Sequence, residues 1–371
     1  MKLLLSGFAT LMVTTTCALA GGIDRTAMPL SLLFEDGQTA RLSFSSVTPA
    51  VSGDYPAFLG GGSTDNMAQD YTSLSFALKG DVNDRLAYMV SFTQPYGADA
   101  NYTAGFYTGL EAHWTSSELD ALLKYQVTDR ISAFGGLRYV TSSADITIPV
   151  QMLSPPVTPI VVGPYTASAD RNGKVGYVLG AAYEIPAIAL RGSLTYQSAI
   201  THTFDTHERF GGLNGGATLD GSTDITMPQS VAFDFQTGIA ADTLLFGSVK
   251  WSEWSKWHVR PSYYDSVIHD EVTGFSTDVI TYQLGVGRKI NDNLSVFARL
   301  GYEAPDGKTA SRLSPTDGMQ SIGIGGSWTQ GNAKFTGGVE YVKLGNATDG
   351  STVAFADNHA IGLGISVDFK F

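Results

Sequence analysis

The chain closes on Ile361-Gly362-Leu363-Gly364-Ile365-Ser366-Val367-Asp368-Phe369-Lys370-Phe371, in which large apolar residues alternate with glycine, serine or charge. Successive side chains of a β-strand point to opposite faces, so one face of this segment is continuous hydrocarbon and the other is small or polar. A strand crossing a bilayer needs ~9–11 residues and carries lipid-facing and lumen-facing side chains in alternation. The segment meets both conditions and ends on an aromatic at the interface position.

The same pattern recurs upstream between short turn signals. They are Asn83-Asp84-Arg85, Thr128-Asp129-Arg130, Ile185-Pro186-Ala187, Ala241-Asp242-Thr243, Asn291-Asp292-Asn293 and Gln330-Gly331-Asn332. Each joins two alternating runs, and a first strand around Leu42 and Phe44 plus the terminal strand brings the total to about 14. Expected strand starts are Gln38, Thr72, Leu86, Glu118, Ile131, Lys174, Ile188, Gln229, Leu244, Val279, Leu294, Met319, Ala333 and Asn358. Short turns at one end and long loops at the other are the asymmetry of a bacterial outer-membrane barrel. Open sheet edges cannot face hydrocarbon, so the strands must close on themselves. The fold expected is all-β, a transmembrane antiparallel β-barrel in the outer membrane of a Gram-negative bacterium.

Composition agrees. Only 16% of residues are charged, mean hydropathy is +0.02, and 42 glycines accompany 17 tyrosines and 19 phenylalanines. An outward apolar surface matched by a polar lumen leaves the mean neutral, while aromatics gather in interface girdles. The net charge of -12 speaks against nucleic acid as a partner. At the N-terminus, Lys2, the apolar run from Leu3 and Ala18-Leu19-Ala20 before Gly21 read as a signal peptide over residues 1–20. The single cysteine, Cys17, lies in it. Residues 21–37 are then a short plug-like or hatch-like segment, and residues 38–371 the barrel.

Met227-Pro228, a strand, the turn Ala241-Asp242, and then Lys250-Trp251-Ser252-Glu253-Trp254-Ser255-Lys256-Trp257 resemble the signature of the FadL family of outer-membrane transporters of long-chain fatty acids and other hydrophobic compounds (OMPP1/FadL/TodX). Thr93-Gln94-Pro95-Tyr96-Gly97, the segment from Tyr282 to Pro305 with Pro315-Thr316-Asp317, and the closing Phe369-Lys370-Phe371 agree with it. The resemblance implies a fourteen-stranded barrel holding an N-terminal hatch. Ligand lands in extracellular loops, passes to an internal pocket and leaves sideways where the third strand kinks inward. Here the hatch segment is short, with Met28-Pro29-Leu30 where the family commonly carries Asn-Pro-Ala.

The residues point to a hydrophobic ligand independently of the family. From Ile146 to Tyr165 the chain carries Met152, Leu153, Val157, Ile160, Val161 and Val162 among five prolines, which bar a regular helix or central strand. So much apolar surface in a loop marks a binding site or a plug in the barrel mouth. A second long, glycine-containing loop, Thr201 to Thr226, adds Phe204 and Phe210 as an opposite wall. Pro95, Tyr96 and Gly97 together interrupt ladder pairing, which suits a kink and lateral exit in the wall. Trp251, Trp254 and Trp257 read as an interface girdle. Strand parity places Arg138, Lys250 and Arg299 inside, each seven or eight residues beyond its short turn. At ~3.3 Å rise and ~40° tilt that is roughly 20 Å up, where a cationic ring could receive a carboxylate. Asp120, Asp234, Glu303 and Glu340 share the same interior and could pair with them.

No Gly-x-Ser-x-Gly is present, and the six histidines lack metal-ligand spacing, although His202, Asp205 and His207 could meet. The expectation is a channel rather than an enzyme, needing no cofactor or metal. It would be a monomer in outer-membrane lipid, passing long-chain fatty acids or similar hydrophobic molecules passively. A non-selective water-filled porin or a surface-adhesion barrel is the alternative.

Overall fold

A computed structural model describes residues 22–153 and 163–371. Fourteen antiparallel strands form the wall. In chain order they are β1 (Thr39–Ala50), β2 (Tyr71–Asn83), β3 (Leu86–Thr93), β4 (Glu111–Gln126), β5 (Ile131–Ile148), β6 (Tyr165–Ile185) and β7 (Leu190–Gln197). The second half comprises β8 (Ser230–Ala240), β9 (Thr243–Ser252), β10 (Val279–Lys289), β11 (Leu294–Glu303), β12 (Met319–Gln330), β13 (Ala333–Leu344) and β14 (His359–Lys370). Each strand pairs with its sequence neighbours, and β1 pairs with β14 from Thr39↔Lys370 to Ala50↔His359, closing the barrel. The closing register sets Ile361, Leu363 and Ile365 outward and buries Gly362, Gly364, Ser366 and Asp368 inward or against the wall. An apolar belt continues around the molecule through exposed Leu137, Leu179, Leu194, Leu284, Leu300 and Ile322. Left in water this belt would be a severe aggregation liability, whereas in lipid it is the matching surface.

All six short turns fall where expected. Their mechanism is local. Asn83 Oδ1 accepts from the N–H groups of Arg85 and Leu86, and Asn291 Oδ1 does the same for Asn293 and Leu294. Asp242 and Gly331 supply the positive φ of their turns.

Two stretches differ from the sequence reading. Strands β4 and β6 begin at Glu111 and Tyr165, well before the expected Glu118 and Lys174, because β4, β5 and β6 run on beyond the apolar belt as a raised wall. Ile146 and Ile148 therefore belong to β5 rather than to a loop. The stretch from Thr201 to Thr226 is likewise no loop. It is a β-hairpin, Ile200–Phe210 against Leu219–Met227, that extends β7 and β8 upward and rejoins β6 through Thr206↔Ala169 to Phe210↔Tyr165.

The N-terminal residues enter the lumen. Leu32 and Leu33, on a single turn of 3-10 helix (Leu30–Phe34), are fully buried against inward Ala77, Met89, Leu122, Phe134 and Val178 of β2–β6. Phe34 stands edge-on to Phe134, with the Arg191 and Lys124 cations 4.6 and 5.0 Å from its ring centre. Arg41 grips Asp368 through two hydrogen bonds of 2.5 and 2.8 Å and also reaches Ser31, while Lys79 Nζ donates to the Gly37 carbonyl. Short as it is, this hatch-like segment packs inside the barrel.

Candidate functional site

The wall is interrupted at Gln94-Pro95-Tyr96. The β2–β3 ladder stops at Phe76↔Phe92; beyond it the Leu74 N–H donates to the Gln94 side chain at 2.9 Å, and backbone contact returns only at Gln69 N to Asp99 O and the bridge Ala68↔Ala100. On the other flank, three residues, 94–96, oppose two, Ser116 and Ser117, before pairing with β4 resumes at Gly97↔Thr115. This is a bulge, enforced by a proline that has no N–H to donate. Tyr96 is held through Ser116, whose Oγ accepts from the Tyr96 N–H and donates to its carbonyl.

The hatch takes over the vacated edge. Arg25 N donates to Pro95 O at 2.7 Å and Gly97 N to Ile23 O at 2.9 Å. The Arg25 guanidinium lies 4.0 Å over the Tyr71 ring of β2, and its Nη2 donates to Asp99 Oδ2 at 2.5 Å, so one side chain spans the interruption. A Cβ at Gly97 would sit 2.4 Å from Arg25 Nε, so any larger residue there would push the guanidinium off this path. Asp99 also meets His113 Nδ1.

Above and inside this seam lies an apolar chamber. Ile23, Tyr96, Trp114, Ile200, Phe204, Ile225, Met227, Trp254 and Trp257 form one buried cluster. Trp114 packs edge-on to Phe204 and Trp257 at 5.7 and 5.8 Å, and Tyr96 meets Trp254 at 5.9 Å. A cavity of about 80 Å³ opens in it between Ile23 of the hatch, Trp114, Ile225, Trp257 and Phe275. The tryptophan girdle expected from sequence is thereby corrected for two of its three members. After β9 ends at Ser252, a 3-10 turn (Trp254–Lys256) swings Trp254 and Trp257 inward, and Trp251 alone stays at the surface, donating to Asp278.

Nearer the mouth, Phe210 belongs to a second cluster. It packs with Tyr165, Tyr263 and Tyr264 at 4.7, 5.1 and 6.1 Å, and Met152 and Leu153 join them. Glu208, fully buried, ties the short helix Ser262–Ile268 onto this cluster by accepting from the N–H groups of Tyr263 and Tyr264 and from the Tyr165 hydroxyl. The expected entry residues Phe204 and Phe210 thus sit at successive levels, chamber and mouth. Val157, Ile160, Val161 and Val162 lie outside the described residues. His202 faces inward while Asp205 and His207 face out, so the three do not meet. Burial pushes the His202 pKa down to about 4, and hydrogen bonds donated to Asp220 and Asp170 raise that of His207.

Below the chamber, a lumen cavity of about 240 Å³ runs between hatch residues Asp24 to Phe34 and a wall of Ser, Thr and Gln from the other strands. Arg138, Lys250 and Arg299 all line or border this interior, and each has a carboxylate. Arg138 pairs with Glu118 at 2.6 Å and also donates to the Tyr96 hydroxyl and Gln197; Lys250 pairs with Asp24 of the hatch at 3.1 Å; Arg299 pairs with Glu340 at 2.5 Å. A ligand carboxylate would have to displace one of these partners.

Sequence reasoning did not single out Ile23, Arg25, Trp114, Ile225 or Phe275. Trp114 carried a signal, since its parity along β4 matches inward Ser116, Glu118 and Asp120; the others meet only through long-range pairing.

A family model described as outer membrane protein transport protein (OMPP1/FadL/TodX) matches residues 29–367. No curated protein sequence matches the chain. Among solved structures, a FadL homologue from Pseudomonas aeruginosa superposes with TM-score 0.71 at 14% identity, covering 92% of each chain. The Pseudomonas putida toluene transporter TodX gives 0.64 at 13% identity, over 95% of this chain and 96% of that one. The CymD monoaromatic hydrocarbon channel gives 0.63 at 16% identity, over 92% and 91%.

Proposed function

Because the chain belongs to the OMPP1/FadL/TodX family of outer-membrane transport proteins, we propose that it carries small apolar molecules inward across the outer membrane, passively and without a cofactor. A ligand lands on the Phe210–Tyr264 cluster at the mouth and drops into the Trp114–Trp257 chamber. It then leaves sideways into the membrane through the seam between β2 and residues 94–100. The observation that carries this reading is the pairing of Ile23 and Arg25 with Pro95 and Gly97. The floor of the chamber and the bar across the seam are the same few hatch residues, so movement of one segment frees both. A molecule bound against Ile23 competes directly with that pairing.

The hatch seated across β2–β6 weighs against a water-filled porin. The carboxylates already on Arg138, Lys250 and Arg299 favour a neutral ligand over a long-chain fatty acid, and the toluene and monoaromatic channels among the structural neighbours suit a compact one. The barrel works as a single unit surrounded by outer-membrane lipid.

The test is equilibrium binding of radiolabelled toluene and of a radiolabelled long-chain fatty acid to the purified, detergent-folded barrel, together with conductance in planar bilayers. Saturable toluene binding with little steady conductance is expected. Large steady conductance without saturable binding of either compound would overturn the proposal in favour of an open pore.

A further inference from the structure

The raised wall above the apolar belt turns a polar face outward. Strand register lines up Asp99, His113, Asp145, Ser168 and His207 as one row across five neighbouring strands, from residues 97–101 through β4, β5 and β6 to the hairpin. One step higher, Asn101, Glu111, Thr147, Thr166 and Arg209 make a second row. With strands ~4.8 Å apart, each row is about 19 Å long. Together they line an outward-opening trough of about 480 Å³.

Part of this face holds the wall together. Asp99 takes the Arg25 and His113 side chains, His207 lies between Asp170 and Asp220, and Arg209 donates to the Gly216 carbonyl. Glu111, Asp145, Thr147, Thr166 and Ser168 make no side-chain hydrogen bond or ion pair among the described residues, and are left to whatever lies outside the wall. An ionised carboxylate only accepts, whereas a hydroxyl gives and takes. Side by side in a trough, the two match a compound dense in hydroxyl groups and offer nothing to an alkyl chain. Phosphate fits poorly, because Asp99, Glu111 and Asp145 face one permanent cation, Arg209.

Height decides where the hydroxyl groups come from. On β4 and β5 the last strongly exposed apolar residues are Leu119 and Tyr139, and the lower row lies six residues beyond each, at His113 and Asp145. That length of strand, at ~3.4 Å rise and ~40° tilt, climbs ~15 Å. Phospholipid headgroups fill only about 5–8 Å outside each face of the hydrocarbon and end below the trough. A lipid whose head is a chain of sugars reaches it.

We propose that the two rows bind the sugar chain of an outer-leaflet glycolipid, the lipopolysaccharide of a Gram-negative outer membrane, whose acyl chains lie against the belt directly below. Neighbouring sugar hydroxyls donate to Glu111 and Asp145, while Thr147, Thr166 and Ser168 bond in both directions. The same strands carry the belt and the trough, so one lipid molecule touches both. The surface lies outside the barrel and is independent of the uptake route.

Rough-type lipopolysaccharide, which carries a core oligosaccharide, is compared with lipid A, which lacks it, by quantitative native mass spectrometry of the folded barrel in detergent. Lipopolysaccharide is expected to bind at least about fivefold more tightly, the range of one or two hydrogen bonds. In Glu111→Ala combined with Asp145→Ala that preference should fall to about one, with lipid A affinity held within about twofold. Both residues are exposed, so thermal unfolding of the variant should match that of the unmodified barrel. Isotope-labelled threonine methyl resonances of the unmodified protein give a readout that does not depend on the variant. Those of Thr147 and Thr166 should move on adding lipopolysaccharide and stay put with lipid A. Equal binding of the two lipids overturns the inference, as does an unchanged preference in the double variant. Tighter lipopolysaccharide binding by the variant overturns it too, because the carboxylates would then only repel phosphate.

Discussion

The wall is broken in two places, and the breaks are closed by different means. Between β2 and residues 94–100, backbone pairing is lost; one wall contact remains, from the Leu74 N–H to Gln94 Oε1, and the hatch fills the rest, with main-chain bonds to Pro95 and Gly97 and the Arg25 side chain laid across to Tyr71 and Asp99. Between β6 and the line running from β7 into the hairpin, pairing is lost between Val178↔Gln197 and Ala169↔Thr206. There the wall closes itself. Asn172 Nδ2 donates to Thr203 O at 2.8 Å, and its Oδ1 takes the His202 Nδ1–H at 3.1 Å. Ile200 packs so closely on Gly176 that a Cβ on that glycine would lie 2.8 Å from it. A break bridged by a separate segment opens when that segment moves, whereas one bridged by its own side chains opens only if the wall deforms. On the function proposed above, the same loss of ladder makes a gate in one place and a fixed joint in the other.

The largest effect should come from unseating the hatch. Leu33→Ala empties a fully buried position and is expected to weaken hatch docking by about 2–5 kcal/mol. Amide exchange over residues 22–37 in the folded barrel would rise steeply while residues 170–206 keep their protection. Unchanged exchange at the hatch would mean that its ion pairs, not its apolar packing, hold it.

Next, Gly97→Val drives a side chain into Arg25 and should cost about 1–3 kcal/mol, all of it at the first break. Protease access to residues 22–26 is the readout, and toluene release should quicken. If access does not change, Arg25 is not the bar across the seam.

Asn172→Ala removes the tie at the second break, for about 1 kcal/mol. Exchange should rise at residues 200–205 only, with binding and release of ligand unaltered. A change in ligand release here would erase the distinction between gate and joint.

His202 also gives the second break a pH dependence of its own. Burial depresses the His202 pKa to about 4, with Lys174 and Arg138 adding repulsion, against about 6.5 in an undocked hairpin. The undocked state therefore binds the proton first. Docking is strongest above about pH 6.5 and weakens as pH falls toward 4. Exchange at residues 200–210, corrected for its intrinsic rate, should be faster at pH 5 than at pH 7. Equal corrected rates would remove His202 from the joint.

The barrel was legible strand by strand wherever lipid lies on one side and the lumen on the other, because that contrast writes hydropathy into alternate positions. The turns were legible for a local reason too, the side-chain bonds of Asn83 and Asn291. Reading failed where the contrast disappears. In the hairpin, His202, Thr206 and Glu208 interrupt the inward apolar series of Ile200, Phe204 and Phe210, while Thr203, Asp205 and His207 face out, so polar residues fall on both faces and the strand passes for a loop. Above the belt, β4 and β6 lose their signal in the same way. Trp254 and Trp257 were legible as aromatic and near an interface, but a single 3-10 turn reversed the side they face.

Sequence by itself determined the closed fourteen-stranded barrel, its lipid-facing belt, the interruption at Pro95 and the family, since each depends on side-chain period, turn chemistry or a residue's own backbone limits. Tertiary structure alone decided that residues 22–37 pack inside the barrel, that Arg25 crosses the gap beside Gly97, that every candidate lumen cation meets a carboxylate, and that Trp114 and Trp257 pack edge-to-face at one chamber. These are contacts between residues tens to hundreds of positions apart, set by barrel closure and register, and no local pattern in the chain encodes them.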